Sequence, residues 1–437
     1  MSRRILILAD FACASGFAQV AQNVVVQLLK EKEVQYQIDI VAINYYGVPN
    51  EWLSLYPTVR LFPASIVSNG DLFGREAYLA MLGTGAYDLT WVLQDTFIVE
   101  VIGEKIKDIR TKLITENKKV FKFIYYFPID ATPKENWITK SVSIADIPVA
   151  YTEYGKNEVL RWDKDLAKRL RVIPHGVDTT KIKPLPKDQV RQFRHDWFDG
   201  LADDRFLITN VNRNQPRKDV ARTLQIFSLF KKQAPEALLY LHMKAKDVAY
   251  DINEIARNFD LIPEKDYIVP PGFDEHEGVS VEMLNFIYNS SDLVMTTTLG
   301  EGWGLSMTEA LAARVPVIAP NHTSLTEILT NRGFLVTAGK TQNDWIALTQ
   351  DNERLRPLAN VNEYVDKLMY IRNNYQEALK LAEAGHGFVI NNWTWDLVGQ
   401  QWRDLFKNVF PAEKKVGRND LCFCKSGKKY KNCHYGK

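Results

Sequence analysis

Short apolar runs rich in β-branched residues alternate along this chain with longer stretches whose apolar positions recur at helical spacing. The runs read as buried strands and the longer stretches as amphipathic helices. In the first half, strands are expected at Arg4–Leu8, Gln37–Ile43, Leu89–Leu93, Val120–Tyr126, Val149–Thr152 and Leu170–Pro174, with a helix from Val20 to Leu29. A Pro- and Lys-rich stretch, Asp178–Lys187, reads as a linker. A second set of strands follows at Phe206–Val211, Ala237–His242, Tyr267–Val269, Leu293–Thr297 and Pro316–Ala319. Helical stretches between successive strands favour parallel β-α units. The pattern therefore predicts an α/β chain of two domains facing a cleft, at 1–180 and 188–390. A closing amphipathic helix is expected within 391–410, and a separate C-terminal module at 416–437.

Composition changes little in that picture. With 437 residues, 46% hydrophobic and 25% charged, the chain is long enough for two or three ordinary globular domains. The net charge of +2 hides an asymmetry: from Pro411 onward there are eight Lys or Arg against two Asp or Glu, so the tail carries +6 and the body −4. A mildly acidic body argues against a general nucleic-acid coat. Asp10 interrupts the first apolar run, which reads as a strand and not as a secretory leader. No stretch approaches about 18 uninterrupted apolar residues, so no transmembrane helix is expected. Three of the four cysteines fall in the last sixteen residues, a metal-site usage and not a disulfide framework. The expected location is cytoplasmic.

The densest candidate chemistry lies in Glu301-Gly-Trp-Gly-Leu-Ser-Met-Thr-Glu309. It follows the strand reading of Asp292–Thr298 and precedes a helical Ala310–Ala313. A strand, a glycine turn and a helix N-terminus present backbone N–H groups to an anion. Glu301 at the strand end and Glu309 a turn into the helix are placed to accept hydrogen bonds from hydroxyls. A phosphate beside polyhydroxylated rings describes a nucleotide sugar. Arg213 and Lys218, in Asn212–Asp219 after the first strand of the second half, are two cations suited to a diphosphate. Arg217 is a third, lesser candidate.

The Glu301–Glu309 segment resembles the glutamate-seven-residues-glutamate motif of retaining GT-B glycosyltransferases of family 4, whose two halves are Rossmann-like. The resemblance implies that Glu301 contacts sugar hydroxyls and Glu309 the donor ribose. It places the amides of Gly302, Trp303, Gly304 and Leu305 near the diphosphate and sugar, and makes Arg213 and Lys218 the pair that grips the diphosphate. Gly16 would let the first-domain backbone approach the donor phosphate or acceptor, although the family often carries two glycines there. Many relatives place a histidine where this chain has Phe127–Pro133. Asp130 in that loop binds sugar hydroxyls, orients the acceptor or merely caps the loop. Pro174–Asp178 resembles a family landmark and reads as hinge geometry. Such enzymes are thought to use front-face substitution with a donor phosphate oxygen as base, so no catalytic metal is expected. Asp163-Lys-Asp165 is formally a D-x-D, but its charged surroundings read as a solvated helix face.

The acceptor stays open among a saccharide, a lipid and, less favoured, a modified nucleic acid. Tyr45, Tyr46, Trp52 and Phe73 are equally candidates for stacking and for core. A GT-B epimerase or phosphorylase is the competing enzyme class, though no motif for a pyridoxal-phosphate lysine is found. A binding protein that kept the fold is the non-enzymatic alternative. In the tail, Cys422, Cys424, Cys433 and His434 offer three thiolates and an imidazole, a filled tetrahedral zinc set. A segment this short has no hydrophobic core, so Zn2+ would supply its folding energy. It resembles the SEC-C motif that ends the preprotein translocase ATPase. Its remaining basic charge suits an acidic protein, the ribosome or a nucleic acid.

Overall fold

The computed structural model describes residues 2–45, 47, 54–67, 71–273, 278–349, 351–409, 418–419, 421–422 and 426–433. Among these are two all-parallel sheets. The first contains β1 (Ser2–Asp10), β2 (Gln35–Ile43), β3 (Val59–Pro63), β4 (Leu89–Leu93), β5 (Lys122–Phe127), β6 (Ile147–Ala150) and β7 (Arg171–Val172), in the order β3-β2-β1-β4-β5-β6-β7. The second contains β8 (Phe206–Val211), β9 (Ala237–His242), β10 (Tyr267–Ile268), β11 (Leu293–Met295), β12 (Val317–Asn321) and β13 (Phe334–Thr337), in the order β10-β9-β8-β11-β12-β13. In each, strand order reverses beside the first strand, which creates a switch point where ligands bind at the strands' carboxyl ends.

β1 is buried from Ile5 to Asp10, as a strand covered on both faces must be. Ile5 and Ile7 face the side covered by the Gly16–Leu29 helix, and Leu6 and Leu8 join the opposite cluster with Val92 and Phe123. The amphipathic C-terminal helix runs Trp395–Val409 and buries Val398, Trp402 and Phe406 against the first domain. The chain thus crosses back after its second sheet. At the crossing, Val177 N–H donates to Trp393 O at 2.7 Å and Trp395 N–H to Val177 O at 3.2 Å. An added Cβ at Gly176 would stand 2.6 Å from the Trp395 ring, so the crossing requires glycine there.

Aromatic rings carry this core through the seam between the domains. Tyr126 lies 4.7 Å from Trp402 and 5.4 Å from His175, His175 lies 5.5 Å from Trp303, and Trp303 lies 5.0 Å from Trp393, all between ring centroids.

Two strands and a hairpin depart from the sequence expectations. β3 is an edge strand with only Val59 fully buried, and β13 is bracketed by glycine-containing turns, so neither announces itself by pattern. β14 (Trp345–Ala347) and β15 (Leu355–Pro357) pair antiparallel in a small sheet of their own. Trp345, Ile346 and Leu355 are exposed, so that hairpin lacks the alternation of a half-buried strand. Asp163 caps a short 3-10 turn, accepting from Asp165 N–H at 3.1 Å and from the Ser143 hydroxyl at 2.6 Å. Tyr45 and Phe73 are partly buried against first-domain core, whereas Tyr46 and Trp52 lie outside the described residues.

Candidate active site

Two neighbouring crossovers of the second sheet meet at its switch point. The loop after β8 turns through a 3-10 segment, Pro216–Lys218, and enters the Val220–Lys231 helix at Asp219. Buried Asn214 pins it, its side-chain amide donating to Tyr250 O at 2.8 Å. The loop after β11 ends at Gly304, whose φ of +114° suits glycine and launches the Leu305–Ala312 helix.

Lys218 Nζ and Glu301 Oε1 stand 2.5 Å apart, and Arg217 Nη1 lies 3.2 Å from Glu301 Oε2. All three side chains are largely buried. Burial opposes ionisation of Glu301, but Lys218 and Arg217 outweigh it and hold the carboxyl down to about 2. Burial also lowers the Lys218 ammonium, with Glu301 pulling the other way. Backbone contacts complete the hold: Glu301 N–H donates to the Thr323 hydroxyl at 3.1 Å, and Ser324 donates to Glu301 O at 2.9 Å. His322 Nε2 donates to Thr298 O at 3.0 Å, and burial keeps that ring neutral with a pKa near 4.

The other sequence candidates divide. Arg213 points away from Glu301 to an ion pair with Asp247 at 2.9 Å, and Arg217, the lesser candidate, takes the inward position. Spacing along a loop does not reveal which cation turns inward. Glu309 is buried and both its oxygens are engaged: Gln19 of the first domain donates at 3.0 Å and the Tyr288 hydroxyl at 2.8 Å. Burial raises its pKa. The side chain of Trp303 belongs to the seam core, not the cleft. Gly302 abuts the first domain, since a Cβ there would sit 2.6 Å from Pro128 Cβ. Gly16 faces Leu305 across the seam, where a Cβ would come within 2.9 Å of Leu305 Cδ1.

Asp130 lies in this assembly, but as an ionic partner. Its carboxylate meets Arg354 Nη1 at 2.7 Å, Arg217 Nε at 3.2 Å and Arg356 Nη2 at 3.3 Å. Burial works against the charge, yet the three guanidinium groups keep the carboxyl far below its usual range. Sequence reasoning did not find Arg354 and Arg356, which come from the hairpin. It also passed over Asp95, at the carboxyl end of β4 and the start of the Thr96–Thr115 helix. Burial, reinforced by the charge of Asp130, pushes Asp95 up to about 7. A carboxyl at a strand end followed by a helix was the available signal.

In the tail, Leu421 bridges Lys429, Cys422 N–H donates to Lys428 O at 2.8 Å, and Cys422 is buried. Ser426 Oγ lies 3.3 Å from Cys433 Sγ. Cys424 and His434 lie outside the described residues, among which no group of three or more His, Cys, Asp or Glu is arranged for a metal. The donor types nevertheless fit zinc, three soft sulfurs and one imidazole. No helix among the described residues is long and apolar enough to cross a membrane.

Residues 267–364 match the family described as Glycosyl transferases group 1, and residues 418–436 the SEC-C motif. A "Probable sucrose-phosphate synthase" of Thermosipho melanesiensis is 22% identical over 276 residues, 61% of this chain and 55% of that protein. The chain thus spans about half the length of that relative. The protein translocase subunit SecA of Pelodictyon phaeoclathratiforme is 87% identical over 23 residues, 5% of this chain and 2% of SecA. Among solved structures, Anabaena HepE in complex with UDP and glucose has a TM-score of 0.66 at 15% identity, covering 93% of this chain and all of the other. A glycosyltransferase from Rickettsia africae has a TM-score of 0.67 at 17% identity, covering 94% and 100%. The fold is therefore GT-B, with a group 1 glycosyltransferase domain in its second half and a SEC-C motif at the end.

Proposed function

We propose that the protein is a retaining glycosyltransferase that moves a sugar from a nucleoside diphosphate donor to an acceptor hydroxyl. The observation that carries this reading is the buried meeting of Lys218, Arg217 and Glu301 from two adjacent crossovers at a switch point. Two fixed cations beside a helix N-terminus stabilise the negative charge that grows on a departing diphosphate. Glu301, ionised throughout the neutral range, accepts hydrogen bonds from sugar hydroxyls and favours positive charge at the reacting carbon. Ribose hydroxyls would replace Gln19 as donors to Glu309. UDP is the preferred diphosphate because HepE, similar in fold, holds UDP and glucose.

Asp95, on the first domain, is close enough to feel the charges of Asp130 and Arg217. With a pKa near 7, it can accept a hydrogen bond from a second, non-reacting hydroxyl of the acceptor, while a donor phosphate oxygen takes the proton of the attacking one. In the tail, Cys422, Cys424, Cys433 and His434 would hold a structural zinc with no open position for chemistry, leaving a basic surface for an acidic partner.

The test is hydrolysis of UDP-glucose by the purified chain, followed by NMR. The sugar should first appear as the anomer it was in the donor. Release as the opposite anomer would overturn the retaining reading, and epimerised donor would favour the competing class.

A further inference from the structure

Between β13 and the Val361–Asn373 helix the chain leaves the second sheet to form the β14–β15 hairpin. With several large apolar side chains exposed, that hairpin has little core of its own, so its polar contacts fix its place. They run to the first domain. Arg354 Nη1 and Arg356 Nη2 hold the two Asp130 carboxylate oxygens, and Arg356 Nη1 donates to Asp130 O at 2.6 Å. Asp351 braces both forks, accepting from Arg354 Nη2 and Arg356 Nε at 2.6 Å each. The Arg354 guanidinium lies 5.3 Å from the Trp137 ring centroid, and Lys134 Nζ pairs with Glu353 at 2.5 Å. The Arg356 side chain is wholly buried, so its charge depends on these carboxylates for compensation.

Asp130 in turn touches the reaction loop. Its carbonyl oxygen occupies the space a Cβ on Gly300 would need, and its carboxylate meets Arg217, which holds Glu301. Hairpin, Asp130, Arg217 and Glu301 form one unbroken series of contacts across the cleft.

We propose that the Trp345–Pro357 hairpin is an interdomain clasp in which Arg354 and Arg356, as positioning residues, grip Asp130 and so seat Glu301 for sugar transfer. The transfer part rests on the function proposed above; the clasp itself does not. Two readouts on the purified full chain keep them apart. Zero-length carbodiimide cross-linking, read by peptide mass, should join Lys134 to Glu353. The Lys30–Asp396 pair, 3.1 Å apart between the Gly16–Leu29 and Trp395–Val409 helices, serves as internal control. In the Arg354→Gln/Arg356→Gln double variant the first link should fall at least fivefold with the control unchanged. The near-isosteric Asp130→Asn should show the same loss.

In UDP-glucose hydrolysis, both variants should lose at least tenfold in kcat with KM moved less than threefold, and Arg354→Lys should recover part of the loss. A link that survives in both variants overturns the clasp, and kcat and KM shifting in parallel overturns the seating of Glu301 by it. A native chain that forms the link, loses it on substitution and turns over no UDP-glucose upholds the clasp and counts against the donor reading alone.

Discussion

At the residue scale, the decisive feature is which charged side chains turn inward. Arg213 and Arg217 share a loop, yet Arg217 is partly buried against Glu301 and Asp130 while Arg213 is exposed beside Asp247. Arg217→Gln is therefore expected to cost at least tenfold in UDP-glucose turnover, about 1.4 kcal/mol of transition-state stabilisation. Arg213→Gln should cost less than threefold, and equal losses in steady-state kinetics would refute this ordering. Asp95 gives a pH signature. Its folded pKa of about 7 lies above the unfolded carboxylate value, so the folded chain keeps a proton that the unfolded chain releases between about pH 4 and 7. Native stability thus declines relative to Asp95→Asn as pH rises through that window, and levels off above it. Thermal unfolding of both proteins between pH 4 and 8 measures this, and a constant difference in Tm would contradict it. Glu301 was legible in the sequence because strand, glycine turn and helix fixed its place, and Lys218 because its loop directly follows a strand. The orientation of Arg213, the guanidinium shell of Asp130 and the raised Asp95 were not, because each depends on contacts between residues distant in sequence.

Elements whose burial pattern is complete were the readable ones. β1, β8 and β9 are mostly buried strands with apolar cores, and the Trp395–Val409 helix shows its apolar stripe plainly. β3 at a sheet edge and the β14–β15 hairpin carry no such pattern, because ion pairs and turns position what hydrophobic burial does not. The tail is the opposite extreme, its SEC-C motif legible from the cysteine and histidine pattern. Cys422→Ser is expected to release bound zinc from the native chain, by metal analysis, while UDP-glucose hydrolysis stays within twofold. Loss of hydrolysis with the body still folded would assign the tail a part in catalysis.

Across the whole molecule, two β-α domains share an aromatic core and, separately, an ionic bridge. The Tyr126–His175–Trp303–Trp393 series is aromatic and lies at the junction of the domains. The Asp130–Arg217–Glu301 series is charged and ends at the proposed sugar site. Domain number and the cleft followed from counting β-α units, whereas the depth of the shared core did not, since it needs Trp303 and the C-terminal helix to fold onto the first domain. The central claim is that Lys218 and Glu301 converge on one activated sugar. Calorimetric titration of UDP-glucose into the native chain and Lys218→Ala tests it most directly. The native protein should bind at a single saturable site, and the variant should bind at least tenfold more weakly. Equal affinity in the two proteins, or no binding by the native chain, would contradict the claim.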